Sequence, residues 1–159
     1  MKHHSLVRYA AVKDVVQIVR FNAAMALETE GKALDPTTLT KGVKAVLRDK
    51  RKGFYLVVEV DGVARACLMV TTEWSDWRNG TFWWIQSVFV EKGFRKKGLY
   101  RSMYRFLSEK ALSDEDVAGI RLYVEQENMV AQKTYEKMGM QKTNYLMYEF
   151  SKTTIKEPF

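Results

Sequence analysis

The sequence predicts an α/β fold with an α+β first half, in which a mixed central sheet carries helices on both faces. Three observations predict it. Apolar residues recur at helical spacing in four stretches, and apolar runs bounded by turn dipeptides lie between them. At 159 residues and 47% hydrophobic content, the chain can bury roughly 70% of its unfolded surface without disulfides or metals. No repeat, low-complexity tract or Pro/Gly-rich linker interrupts it, so residues 1–159 read as one domain.

Each element follows from local chemistry. Residues 6–10 make a short strand. Asp14 is placed to cap a helix whose apolar positions Val15, Val16, Ile18, Val19 and Ala23 share one side. Asp35-Pro36 reads as an N-cap followed by proline at the first helical position, opening a second helix through Val43, Val46 and Leu47. The runs 54–60 and 63–72 flank Asp61-Gly62, a dipeptide suited to a type I′ turn, and so form a hairpin. Asn79-Gly80 turns the chain into a further strand over 82–90. A long helix from about 98 to 112 carries Leu99, Met103, Phe106 and Leu107 on one face. A strand over 120–124 follows; joined to 82–90 through a helix, it makes a right-handed parallel crossover. Residues 128–138 form the fourth helix, closed by Gly139 as a left-handed cap, and 146–150 are expected as a last strand.

The stretch with the most chemistry is Val88-Phe89-Val90-Glu91-Lys92-Gly93-Phe94-Arg95-Lys96-Lys97-Gly98-Leu99-Tyr100-Arg101. A β-branched strand enters a glycine-bracketed basic turn that opens onto a helix. Free N–H groups at such a helix start attract phosphate. Residues 91–110 hold seven Lys/Arg against two Glu, a local +5 within a chain of net charge +7. Gly93 and Gly98 have P-loop spacing, but Leu99-Tyr100 stands where Lys-Ser/Thr is required, which excludes an ATPase of that type. The dinucleotide glycine pattern is absent as well. Arg95-x-x-Gly98 remains, with Gly98 permitting close backbone approach to a diphosphate. A plain helix start with solvated lysines has the same spacing.

Two segments together resemble the acetyl-CoA-binding core of the GNAT N-acetyltransferase superfamily. One is Val88-Phe89-Val90 followed by Arg95-Lys96-Lys97-Gly98-Leu99-Tyr100. The other is Leu122-Tyr123-Val124 followed by Asn128-x-x-Ala131-x-x-x-Tyr135-x-x-Met138-Gly139-Met140. The resemblance covers residues 81–140, and the hairpin and two leading helices agree with it. It implies the single-domain acyl-CoA N-acyltransferase fold and acetyl-CoA as cosubstrate, without a metal. By the same resemblance, the strand Val88-Phe89-Val90 would pair through its backbone with the pantetheine arm, and the turn around Arg95 would carry the diphosphate. Lys96, Lys97, Gly98, Leu99, Tyr100 and Arg101 would hold it with amides and side-chain charge. Asn128 would hydrogen-bond the cofactor arm, and Tyr135 would reprotonate the leaving thiolate. Ordinary roles stand beside these: an N-cap for Asn128 and a core aromatic for Tyr135.

The chain departs from the family pattern in three places. Tyr100 stands where Gly or Ala is preferred, and Tyr123 and Gln86 stand where some members carry a glutamate base. Deprotonation of the acceptor would then run through a water held by Glu73, Asp76, Glu125 or Glu127, with Glu73 the leading candidate. Glu73-Trp74-Ser75-Asp76-Trp77-Arg78 suits a cationic amine through ion pairing and cation–π contact, or is a surface loop anchored by buried indoles. Glu28 and Glu30 at the end of the first helix could join this region.

The expected activity is direct acetyl transfer from acetyl-CoA to a primary amine on a small molecule or peptide. A noncatalytic CoA sensor is the alternative. Cys67 has no evident His partner, so a covalent thiol route is not expected. Phe82-Trp83-Trp84 is uncharged, unlike an RNA-reading sheet, and no nucleic-acid partner is expected. No apolar run approaches the ~18 residues a membrane helix needs, and no signal peptide is evident. With one cysteine, a reducing, cytoplasmic location is expected. Met1-Lys2-His3-His4 is too short for a metal site. Aromatic strands near the C-terminus could pair two subunits.

Overall fold

The computed structural model describes residues 4–151. The chain divides into two compact units, Met1–Tyr123 and Val124–Phe159. The first holds strand β1 (Ser5–Tyr9), helices α1 (Val15–Glu30) and α2 (Pro36–Arg48), and strands β2 (Phe54–Val60), β3 (Val63–Ser75) and β4 (Gly80–Val90). Helix α3 (Leu99–Leu112) and strand β5 (Val117–Arg121) complete it. The five strands form one sheet in chain order. β1 to β4 run antiparallel, and β5 lies parallel to β4.

The sheet is covered on both faces, as expected. On one, Tyr55, Val57, Cys67 and Phe89 pack with Val15, Ile18 and Phe21 of α1 and Val43 and Val46 of α2. On the other, Leu56, Val58, Leu68, Val70 and Ile85 meet Leu99, Met103 and Leu107 of α3. Alternation along β2 sends its residues to the two layers in turn. The expected turn at Asp61-Gly62 has positive φ at both residues, 51° and 81°, as a type I′ hairpin requires. Asp35 caps α2 as read from sequence, accepting from the Thr38 N–H at 2.7 Å.

Asp14 behaves otherwise. It precedes α1 but makes no side-chain cap bond to it. Its carboxylate instead accepts from the Ala11 N–H at 2.7 Å and from both terminal nitrogens of Arg8 at 2.8 Å. A buried carboxylate is better neutralised by a bidentate guanidinium than by one helix amide, so the ion pair takes the side chain. Arg8 also donates to Glu59 on β2.

Strand alternation breaks at one place that matters. Met69 pairs with Gln86 and Cys67 with Phe89, so Leu68 alone faces Ser87 and Val88. Ser87 is the surplus residue and has φ 42°, a β-bulge. Before it, Trp83 and Ile85 face α3; after it, Val88 and Val90 do, while Phe89 turns to α1 and stacks on Phe21 at 5.2 Å.

The second unit contains α4 (Met129–Lys137). Asn128 caps it, accepting from the Ala131 N–H at 3.1 Å, and Gly139 with φ 89° closes it as expected. The expected strand over 146–150 is not formed. Among its described residues the unit holds no strand for that segment to pair with. The strand expected over 120–124 begins and ends earlier, at Val117–Arg121. No helix among the described residues is long and apolar enough to cross a membrane.

Candidate functional site

The first unit places an open edge where the sequence anticipates one. Parallel pairing of β4 with β5 runs from Thr81–Val117 to Trp84–Arg121 and stops there. Beyond Trp84, β4 pairs only with β3 among the described strands. The Glu91 N–H donates to the Arg65 carbonyl of β3 at 2.9 Å. By strand alternation, the N–H and C=O of Val90 therefore face the opposite, open edge, and those of Val88 lie in phase with them.

The turn after β4 is built for backbone approach. A single 3₁₀ turn covers Lys92–Phe94, Lys96 has φ 61° and Gly98 has φ 81°. Gly98 is the N-cap residue of α3 and supplies no side-chain cap. The helix's first bond runs from Ser102 N–H to the Gly98 carbonyl at 2.9 Å. Leu99 and Arg101 N–H groups precede it, at the positions where a helix offers no acceptor. A Cβ added at Gly98 would meet nothing within 4 Å, so the turn is open on that side. Lys96, Lys97 and Arg101 are exposed around it, with the Lys97 ammonium 4.9 Å from the Phe94 ring centre. Tyr100 does not turn outward onto the helix surface. Its ring packs against the core layer under α3 and lies 6.5 Å from that of Tyr104, which leaves the turn uncrowded by it.

Arg95 is already engaged. Its Nε donates to the Val90 carbonyl at 2.9 Å and its Nη2 to Glu28 Oε2 at 2.7 Å. Lys92 Nζ lies 3.6 Å from the other Glu28 oxygen. Glu28 thus faces the basic turn. The Arg95 hydrogen bond, ahead of the opposing desolvation, holds its carboxyl below the usual range.

A second group of residues lies on the α1/α2 face of the sheet, beside the point where β4 and β5 part. Glu73 is not in a loop: β3 continues through Ser75. Its Oε1 accepts from Arg121 Nη1 at 2.8 Å and its Oε2 from the Trp84 indole. The Arg121 guanidinium sits 3.5 Å from the Phe82 ring centre. Gln86 Nε2 donates to Thr71 Oγ1 at 2.6 Å, leaving Oε1 directed at the Tyr123 hydroxyl, 3.4 Å away. Trp84 and Tyr123 rings are 5.9 Å apart. Beyond them, Trp74 and Trp77 are 63% and 89% exposed; they are not buried anchors. Asp76 is spent on the Trp77 N–H at 2.9 Å.

Of the residues singled out from sequence, Val88, Phe89, Val90, Arg95 to Arg101 and Glu73 all belong to the first unit. Asn128 and Tyr135 belong to the second, seven residues apart on one side of α4. Thr71, Trp84 and Arg121 escaped the sequence analysis. Period-two alternation of Phe82, Trp84 and Gln86 was the available signal, but the facing residues of β3 and β5 follow only from register.

A mixed sheet open at β4 beside an uncapped, glycine-entered helix is the arrangement expected of an acetyltransferase by the resemblance above. Residues 21–140 match the Acetyltransferase (GNAT) family, and the chain belongs to that family. A possible acetyltransferase from Clostridium difficile 630 is 48% identical, with 92% of this chain and 97% of that one covered at a TM-score of 0.87. Two further structures share the fold. Glucosamine-6-phosphate N-acetyltransferase from Arabidopsis thaliana is 22% identical over 92% of this chain and 98% of that chain, with a TM-score of 0.70. Ribosomal-protein-alanine N-acetyltransferase from Brucella melitensis biovar Abortus 2308 is 15% identical over 93% and 99%, with a TM-score of 0.75. None of the curated proteins is similar to this chain at a significant level.

Proposed function

We propose that the protein transfers an acetyl group from acetyl-CoA directly to a primary amine. The observation that carries this reading is the part of β4 beyond Trp84, which has no second strand partner among the described residues and leads straight into the open turn at Gly98. An extended diamide arm needs an unpaired strand edge, and a diphosphate needs unspent amides with cations nearby. Both lie within one continuous stretch, Val88 to Arg101. Acetyl-CoA supplies the activated acyl group as a thioester.

The protein's own groups divide the remaining work. Backbone at Val88 and Val90 holds the arm and leaves an amide to polarise the thioester carbonyl. Lys96, Lys97 and Arg101, with the amides around Gly98 and Leu99, take the diphosphate. By the family resemblance alone, Tyr135 would donate a proton to the departing thiolate and Asn128 would orient the arm. On the acceptor side, Glu73 keeps carboxylate lone pairs beyond those given to Arg121 and Trp84. Those lone pairs hold the water that takes the amine's proton. Gln86 and Tyr123 mark where the amine sits, and the acceptor is a small molecule or a peptide terminus.

A thiol-release screen of acetyl-CoA against alkylamines, amino acids, aminosugars and peptides tests this. Turnover with at least one amine class is expected. CoA binding with no turnover across the panel would replace catalysis by sensing, and no CoA binding at all would remove the reading.

A further inference from the structure

The open edge of β4 is not empty of protein. The Val90 carbonyl, which faces away from β3, is capped by Arg95 Nε at 2.9 Å. The guanidinium continues from there to Glu28 at 2.7 Å and passes over the Phe89 ring, 5.6 Å from its centre. Phe89 in turn stacks on Phe21 of α1. One arginine thus bonds the carbonyl that an added strand would use, and one carboxylate at the end of α1 holds that arginine. The same carboxylate draws Lys92 to 3.6 Å, so it engages two of the turn's cations.

We propose that Arg95 is a gate across the β4 edge, held shut by Glu28, and that pantetheine binding requires Arg95 to leave the Val90 carbonyl. This rests on the proposal above that the cofactor arm lies along β4. The Arg95 Nε–H already holds one of the Val90 carbonyl's two lone pairs, so a pantetheine amide N–H bonding there competes with it for the oxygen. Displacing the arginine breaks its bond to Val90 and loosens its bond to Glu28. It also frees a guanidinium one turn from the diphosphate amides. Glu28 is therefore a positioning residue: it acts on the cofactor through Arg95, and its charge sets how firmly the edge is closed.

The test uses two probes, CoA and uncharged pantetheine, because removing Glu28 also adds net positive charge. Dissociation constants are measured by calorimetry for CoA and by ligand-observed NMR for pantetheine, on wild type, Glu28→Gln and Arg95→Ala. Both variants alter exposed side chains and leave the core intact. Glu28→Gln is expected to tighten pantetheine at least threefold and CoA at least as much. Arg95→Ala is expected to tighten pantetheine similarly while weakening CoA, since the gate and a diphosphate cation go together. Unchanged or weaker pantetheine binding in either variant overturns the gate, even if CoA tightens in Glu28→Gln, because that pattern is charge alone. Wild type that binds neither probe overturns the acetyl-CoA reading and the gate with it; wild type that binds both isolates the gate.

Discussion

The Tyr123 hydroxyl lies 3.4 Å from Gln86 Oε1, spanning the two strands just past their last shared pair, Trp84–Arg121. Neither residue is a carboxylate. Thr71 fixes the amide from behind, so the carbonyl oxygen is presented toward the gap.

Gln86→Ala should therefore weaken the orientation of an acceptor N–H without touching the cofactor turn. One neutral hydrogen bond is worth about 1–1.5 kcal/mol, roughly tenfold in kcat/KM for the amine. The Kd for CoA should stay within twofold. Equal losses in both would show that the residue supports the sheet and not the acceptor.

Glu73→Gln should lower amine turnover about tenfold or more, at the lower end of what a general base contributes, again with CoA binding preserved. The amide also forfeits the ion pair with Arg121, which is half exposed and worth little to stability. A melting temperature within a few degrees of wild type separates lost chemistry from lost fold. Unchanged turnover removes Glu73 from the reaction.

Gly98→Ala separates strain from function. With φ at 81° the alanine pays about 1 kcal/mol in backbone conformation, and nothing within 4 Å clashes with its Cβ. Stability should fall by only that much. CoA affinity should fall tenfold or more, because the new methyl stands where a diphosphate must approach the amides. Calorimetry alongside urea unfolding reads both.

Asp14→Ala should cost about 3 kcal/mol, near the lower end for breaking a buried pair, because Arg8 keeps Glu59. The pH dependence has a definite sign. Burial works to raise the Asp14 carboxyl, but the Arg8 and Ala11 hydrogen bonds outweigh it and hold the group below its ordinary value. Its stabilising contribution is complete above the unfolded carboxyl's pKa of about 3.9 and is lost as pH falls through the lower folded value. Urea midpoints of the variant and wild type should therefore converge in acid. Parallel curves down to pH 2 contradict the assignment.

Cys67 should be inert in the native state. Its side chain is fully buried, and burial pushes the thiol up to about 12; the thiolate is the reactive form. A chromogenic disulfide reagent should register one thiol only after unfolding, which keeps CoA release assays free of background. Fast native-state labelling would contradict the burial.

The basic turn after β4 was legible because its information is local. A β-branched strand, two glycines and a run of cations are adjacent in the chain, and the positive φ that glycine favours is adopted at Gly98, though also at Lys96, where residue type gives no such signal. The acceptor side was less so. Glu73, Trp84 and Arg121 come from three strands and meet only through register, which a period-two pattern does not encode. Asp14 looked like a cap because its neighbours do; the competing Arg8 lies across a turn. Residues 146–150 looked like a strand by composition, yet a strand exists only with a partner. The Arg95–Glu28 contact joins positions 67 residues apart and had no sequence signal.

The bulge at Ser87 makes the length of β4 consequential at the scale of one residue. Flattening the bulge with Ser87 kept in the ladder would shift every later residue by one step. Phe89 would then swap sides with its neighbours, leaving Phe21 without its stacking mate and presenting a ring where Val88 and Val90 now fit. The carbonyl gripped by Arg95 would swing inward with it, so a change at Ser87 that merely regularised the sheet would close that edge.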